Sequence, residues 1–160
     1  RGPVFFIQKR TGFDNDEFQC FKFRSMAMND SSDNQQAGKN DMRVTKIGRF
    51  IRKTSIDELP QFYNVLFGNM SVVGPRPHML KHTDEYANRV DKYMLRHFVK
   101  PGITGLAQIR GYRGEIEHDS DIQNRIKFDI FYVENWSFFL DLKIIVQTIV
   151  NAIKGEEKAY

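Results

Sequence analysis

"RVTKIGRFIRKTSIDELPQFYNVLFG", residues 43–68, decides how this chain is read. It begins with bases (Arg43, Lys46, Arg49, Arg52 and Lys53), reaches adjacent carboxylates at Asp57 and Glu58, and sets Pro60 two residues later. Val44, Ile47 and Ile51 keep helical spacing with bases on the other side, so a helix is expected to run towards the acid pair. "ELPQFYNVLFG" (58–68) reads as a second helix that stops at Gly68.

Two local readings of the acid pair compete. Ser55 followed three residues on by Glu58 fits the capping box, a structural cap with no chemistry. If Ser55 is the cap, however, Pro60 lies beyond the first turn's unpaired N–H groups, where proline is poorly tolerated. A later helix start puts Asp57 and Glu58 at the helix mouth, where the positive end of the dipole favours anions. Neighbouring helical residues aim in different directions. That argues against a shared proton and for a division of labour, with one carboxylate attacking and the other holding a metal. Carboxylate nucleophiles form acyl phosphates. Mg²⁺ on a nucleotide diphosphate takes one or two protein carboxylates plus phosphate oxygens.

On the N-terminal side, "PVFFIQKR" and "EFQCFKFRSM" flank the turn-rich "TGFDNDE". They predict an antiparallel β-hairpin, roughly 3–9 with 17–25, with Lys22 and Arg24 on one face. Residues 28–41 are almost wholly polar and are expected to form a mobile surface loop. On the C-terminal side, Gly74, Pro75 and Pro77 break "NMSVVGPRPHM" (69–79) out of regular structure. Arg76 between two prolines loses little freedom when it grips a phosphate; a rigid connector with no ligand is the other reading. Residues 82–99 predict one amphipathic helix with Tyr86, Val90, Tyr93 or Met94, and His97 on a face. "KPGITGLAQIRGYRG" (100–114) reads as a glycine-rich loop in which Tyr112 can stack on a base. Ile122, Ile126, Ile130 and Val133 mark a helix over 120–135. Ser137 can cap a last helix and Gly155 can end it. Its wide apolar face is Phe138, Leu142, Ile145, Val146, Ile149 and Ile153, with Phe139 and Ile144 left over. Such a helix packs in a core or lies along a membrane surface.

The 160 residues suit one domain, and 41% hydrophobic content excludes a disordered chain. The formal net charge of +4 favours anionic partners. A single cysteine, Cys20, excludes an internal disulfide and a cysteine zinc site. The four histidines show no metal spacing, and no P-loop, dinucleotide-binding glycine pattern or serine elbow is present. No apolar run reaches the ~18 residues of a membrane span. The sequence starts at Arg1, so it reads as an excised piece of a longer chain. Two rivals fit parts of this pattern. A nucleic-acid-binding module uses the bases of 43–53 and the aromatics but leaves Asp57 and Glu58 unexplained. A membrane-surface scaffold keeps the last helix and predicts no chemistry.

Taken together, "PVFFIQKRTG", "FKFRSM", residues 43–77, "KPGITGLAQIRG" and "DIFYVENWSFFLDLKIIVQTI" resemble the bacterial sugar transferase family, the monotopic phosphoglycosyl transferases. The resemblance covers nearly the whole chain apart from 28–41. It implies transfer of a sugar 1-phosphate from a UDP-sugar to a polyprenyl phosphate, usually undecaprenyl phosphate. UMP leaves, Mg²⁺ is required, and no nucleic acid takes part. The place implied is the cytoplasmic face of the bacterial inner membrane. By the same match, Asp57 is the nucleophile and Glu58 the Mg²⁺ ligand. Arg52, Arg76, Lys22 and Arg24 match basic positions that contact phosphate or nucleotide, and Asp129 matches an acid of the helix after the glycine loop. Family members also carry a hydrophobic re-entrant helix before the "PVFF" strand, which this sequence lacks, so the piece given is expected to be soluble. The fold expected is α+β: one mainly helical domain over 1–160, with a small N-terminal antiparallel hairpin and amphipathic helices on the membrane surface.

Overall fold

The computed structural model describes residues 2–28, 38, 41–114, 116 and 118–154. The fold is α+β, and alternation produces the hairpin at its start. Strand β1 (Phe5–Thr11) pairs antiparallel with β2 (Glu17–Phe23), Phe5 opposite Phe23 and Thr11 opposite Glu17. The connection turns through Asp14 and Asn15 at positive φ, a conformation these two residue types tolerate. Phe18 and Cys20 point inward and pack with Met70, Val65 and Ile103. Most of the polar loop expected at 28–41 lies outside the described residues.

Helix α1 (Lys46–Lys53) is capped by Thr45, whose hydroxyl accepts from the Gly48 N–H at 2.9 Å. Val44 lies before this helix, bridged to Met26 in an antiparallel pair, so the apolar stripe expected to include it is shorter. A 3-10 turn at Ile56–Glu58 follows, then Pro60 and the short helix α2 (Gln61–Leu66). Gly68, at φ 80°, ends that segment as expected. Asn64 is fully buried and fastens α2 to the hairpin. Its Oδ1 accepts from the Phe21 N–H at 3.0 Å, and its Nδ2 donates to the Gln19 carbonyl at 2.6 Å.

Two segments expected to be irregular instead form a small parallel sheet. Strand β3 (Ser71–Val73) pairs with β4 (Gly102–Thr104). Three-residue strands carry too little alternation to register as strands in a sequence. Glycine makes their pairing close. A Cβ on Gly102 would stand 2.1 Å from the Gly74 nitrogen. Gly102→Ala is therefore expected to lose at least about 2 kcal/mol of stability, read by urea denaturation, because the neighbour is backbone and cannot turn aside.

The helix expected over 82–99 is two pieces. Helix α3 (Leu80–Arg89) ends before Lys92, which has φ 61°, and a 3-10 stretch follows at Tyr93–Phe98. The break brings Tyr93 beside Tyr86, Ile122 and Ile126 in one core cluster. After the short helix α4 (Leu106–Ile109) come α5 (Asp119–Glu134) and α6 (Phe138–Lys154). Ile122 and Ile126 of α5 are buried as the stripe predicted. Tyr112 packs on Phe128 of α5, ring centroids 5.6 Å apart.

Ser137 caps α6, its Oγ accepting from the Leu140 N–H at 3.2 Å; Gly155, expected to end it, lies outside the described residues. Of the expected stripe of α6, Ile145 packs against the core while most of the rest faces outward. Ile144, left over from the predicted stripe, is 0% exposed and packs with Val73, Leu106 and Tyr132. Thr148 bonds Thr104 of β4 at 2.7 Å. Phe138, Phe139, Leu142, Val146, Ile149 and Ile153 face outward. Periodicity located an apolar stripe, but the buried side is chosen by tertiary partners, among them the remote Val73 and Leu106. Among the described residues no helix is long and apolar enough to cross a membrane.

Candidate active site

Asp57 and Glu58 sit on the 3-10 turn between α1 and α2. Ser55 makes no side-chain cap bond and lies at φ 58°, so the capping-box reading fails. Instead the Glu58 N–H donates to the Ser55 carbonyl at 3.1 Å, and the turn closes before Pro60. Both acids are buried, 7% and 6% exposed, yet their surroundings differ sharply.

Glu58 is encircled by cations. Its Oε1 accepts from Lys22 Nζ at 2.9 Å and from Arg76 Nη2 at 2.5 Å. Its Oε2 accepts from Arg113 Nη2 at 2.7 Å and, at a longer 3.4 Å, from Arg76 Nη1. Burial works against its charge, but Arg76, Lys22 and Arg113 outweigh burial and hold the carboxyl well below its ordinary range. Asp57 has no such company. Among the described residues no hydrogen bond or ion pair reaches its carboxylate, and burial, then the Glu58 charge, push its pKa up. Lys22, Arg52 and Arg113 oppose that rise from a distance. A carboxylate with few donors and partial burial is a stronger base and a better nucleophile than a fully solvated one.

The site draws its cations from three remote places. Lys22 comes from β2, Arg76 from the PRP turn after β3, and Arg113 from the loop after α4. Arg52, at the end of α1, is half-buried and forms no ion pair among the described residues; its charge acts on Asp57 through space. Arg24 is not brought to the acids. Its backbone pairs with Val4, and its guanidinium lies against Gly2 at the open end of the hairpin. Asp129 is also elsewhere: 2% exposed on α5, it is paired with Arg96 at 2.8 Å. Arg113 was missed by sequence reasoning. The signal available was its setting, an arginine between glycines in "GYRG", comparable to Arg76 between prolines.

Could the acids hold Mg²⁺? Among the described residues no three His, Cys, Asp or Glu side chains stand together as a metal group. The protein alone makes no cage, which is usual for an ion that arrives on a nucleotide. A carboxylate offers about four acceptor positions, and the donors on Glu58 occupy them. An ion on Glu58 would require one of these cations to transfer to a bound phosphate.

Known proteins resemble this chain over most of its length. The sequence profile of the family described as "Bacterial sugar transferase" matches residues 1–155. A UDP-glucose:undecaprenyl-phosphate glucose-1-phosphate transferase of Klebsiella pneumoniae is 55% identical over 150 residues, 93% of this chain and 32% of that protein. One of the same name from Xanthomonas campestris pv. campestris is 50% identical over 161 residues, 99% of this chain and 33% of that protein. A UDP-N-acetylgalactosamine-undecaprenyl-phosphate N-acetylgalactosaminephosphotransferase of Aeromonas hydrophila is 44% identical over 156 residues, 96% of this chain and 36% of that protein. The chain thus spans about a third of the length of these curated relatives. With the profile covering all but its last five residues, the chain belongs to the bacterial sugar transferase family.

Proposed function

We propose that this chain carries the catalytic centre that moves a sugar 1-phosphate from a UDP-sugar to a polyprenyl phosphate such as undecaprenyl phosphate. The observation that carries the reading is the contrast within the acid pair: Glu58 is saturated by cations, while Asp57 is buried beside them with its carboxylate unpaired. In the first step an Asp57 oxygen attacks the sugar-linked phosphorus of the UDP-sugar. The bond from that phosphorus to the bridging oxygen breaks, and UMP leaves with the oxygen and its electron pair. Asp57 then carries the sugar 1-phosphate as an acyl phosphate. In the second step a phosphate oxygen of the polyprenyl phosphate attacks the same phosphorus and restores the Asp57 carboxylate. Lys22, Arg76 and Arg113 bind the diphosphate oxygens, and Arg52, with Lys22 and Arg113, opposes the rise in the Asp57 pKa. Glu58 would hold Mg²⁺, which when bound neutralises diphosphate charge.

The lipid acceptor calls for a membrane surface. The outward residues of α6, together with Ile47 and Phe50 of α1 and Phe62, Leu66 and Phe67 at α2, supply exposed apolar side chains suited to one. The cytoplasmic face of the inner membrane follows as the setting for a UDP-sugar donor. UDP-glucose is the first donor to test, given what the relatives from Klebsiella and Xanthomonas are called.

The experiment is incubation of the full-length enzyme with UDP-glucose and Mg²⁺ and no lipid. UMP should appear in a burst of up to about one per enzyme, with labelled sugar retained on the protein. Lipid-dependent transfer without any such burst would replace the two-step route with direct transfer between bound substrates. The acid limb of the pH–rate profile gives an independent check. Attack needs ionised Asp57, whose pKa is raised by burial and by Glu58 and lowered in part by Arg52. Arg52→Met is therefore expected to shift the acid limb of kcat/KM to higher pH; an unmoved limb would remove Arg52 from the site.

A further inference from the structure

The PRP turn is held by a device that the transfer steps do not use. Each carbonyl of residues 75–77 meets a donor from a different part of the chain. Pro75 O accepts from the Gly102 N–H at 2.9 Å, Arg76 O from Arg96 Nη2 at 2.5 Å, and Pro77 O from Arg10 Nη1 at 2.9 Å. Two of the three donors are guanidinium groups, that of Arg96 buried and that of Arg10 half-buried.

Arg96 is 1% exposed. It pairs with Asp129 through Nε at 3.1 Å and Nη2 at 2.8 Å. Its Nη1 donates to His78 Nδ1 at 2.9 Å and to the Tyr93 hydroxyl at 3.3 Å. His78 is buried among Arg96, Arg125 and Arg10, which with burial hold its pKa well below the ordinary value and leave the ring neutral. The same side chain thus grips both neighbours of Pro77: the peptide before it and the ring after it. A buried ion pair is a weak stabiliser, and apolar residues of equal volume often replace one without loss. Apolar residues cannot donate to the Arg76 carbonyl.

We propose that Arg96, charge-balanced by Asp129 and assisted by Arg10, is a positioning residue that fixes the Arg76 peptide so that its guanidinium meets the sugar nucleotide. Asp129 therefore acts through Arg96 and does not touch substrate. This rests on the reading above that Arg76 binds the diphosphate.

The test is a double-mutant cycle in the full-length protein, in an Asp57→Asn background so that no chemistry follows binding. The probe is UDP-glucose with Mg²⁺, measured by calorimetry. Arg96→Met with Asp129→Leu removes both charges together and should keep the thermal midpoint while weakening binding about tenfold. Combined with Arg76→Ala, the pair change should add less than about twofold, because its effect passes through Arg76. Equal weakening with and without Arg76, or none at all, would overturn the proposal. If the paired variant does not fold, Arg96→Lys carries the same cycle. Lysine keeps a cation beside Asp129 but cannot span the carbonyl and His78. Binding indifferent to Arg76→Ala alone would instead undo the assignment of Arg76 to the diphosphate, and the inference with it.

Discussion

Asp57→Asn is expected to lower transfer by about 10⁴-fold or more while leaving the fold at least as stable as the parent. The loss follows from the chemistry. An amide cannot attack phosphorus and be regenerated, so no sugar phosphate should remain on the protein. The stability follows from the surroundings, since no donor bonds the carboxylate and its pKa is raised by burial and by Glu58. A carboxyl whose folded pKa exceeds the unfolded value of about 3.9 costs stability as pH rises through that value. The variant is spared this cost, so its advantage should open above about pH 4 and level off once the folded carboxyl has ionised. Thermal midpoints across pH, measured beside the transfer rate, check both halves. Near-parental transfer by the asparagine variant would end the assignment of Asp57.

Its neighbour should behave in the opposite way. Glu58→Gln leaves Lys22, Arg76 and Arg113 gathered around a neutral amide, each less than a fifth exposed. Breaking a buried ion cluster by removing one partner costs about 3–5 kcal/mol, a large share of the ~5–15 kcal/mol that holds a domain. Here the folded pKa is depressed, by cations that overcome burial. The contribution of Glu58 is thus fully present above its unfolded value of about 4.3 and is lost as pH falls through the folded one. Urea denaturation at neutral pH should show the full deficit, and the two proteins should converge in strong acid. A glutamine variant within about 0.5 kcal/mol of the parent at neutral pH would mean that the cations do not depend on Glu58 for their placement.

Adjacent acids with opposite effects explain what the sequence could reveal here. Their adjacency and the neighbouring bases suggested a site, and the turn at 56–58 supplies the reason that they differ. Residues of local pattern were legible. Ile122 and Ile126 line α5, and Gly68 closes the segment after α2. Residues whose role depends on a distant partner were not. Arg96 and Arg125 look like ordinary surface charges in a sequence, because nothing local announces that a guanidinium will be buried. Asp129 matched a family position, but only the fold shows it facing Arg96. Arg113 is one of three bases in the glycine-rich stretch 100–114, and its 2.7 Å bond to Glu58 spans 55 positions. The outward turn of α6 has a related cause: the Ile144 side is selected by Tyr132 of the neighbouring α5 together with the remote β3 and α4.

Cys20, 2% exposed beneath the hairpin, has a practical consequence. The single thiol of this chain is shielded, so maleimide probes should find the native sequence nearly silent. Cysteines introduced one at a time at Val146, Ile149 or Ile153 can then carry a spin or fluorescent label without background, and the quenching depth of each label would map how α6 rests against vesicles.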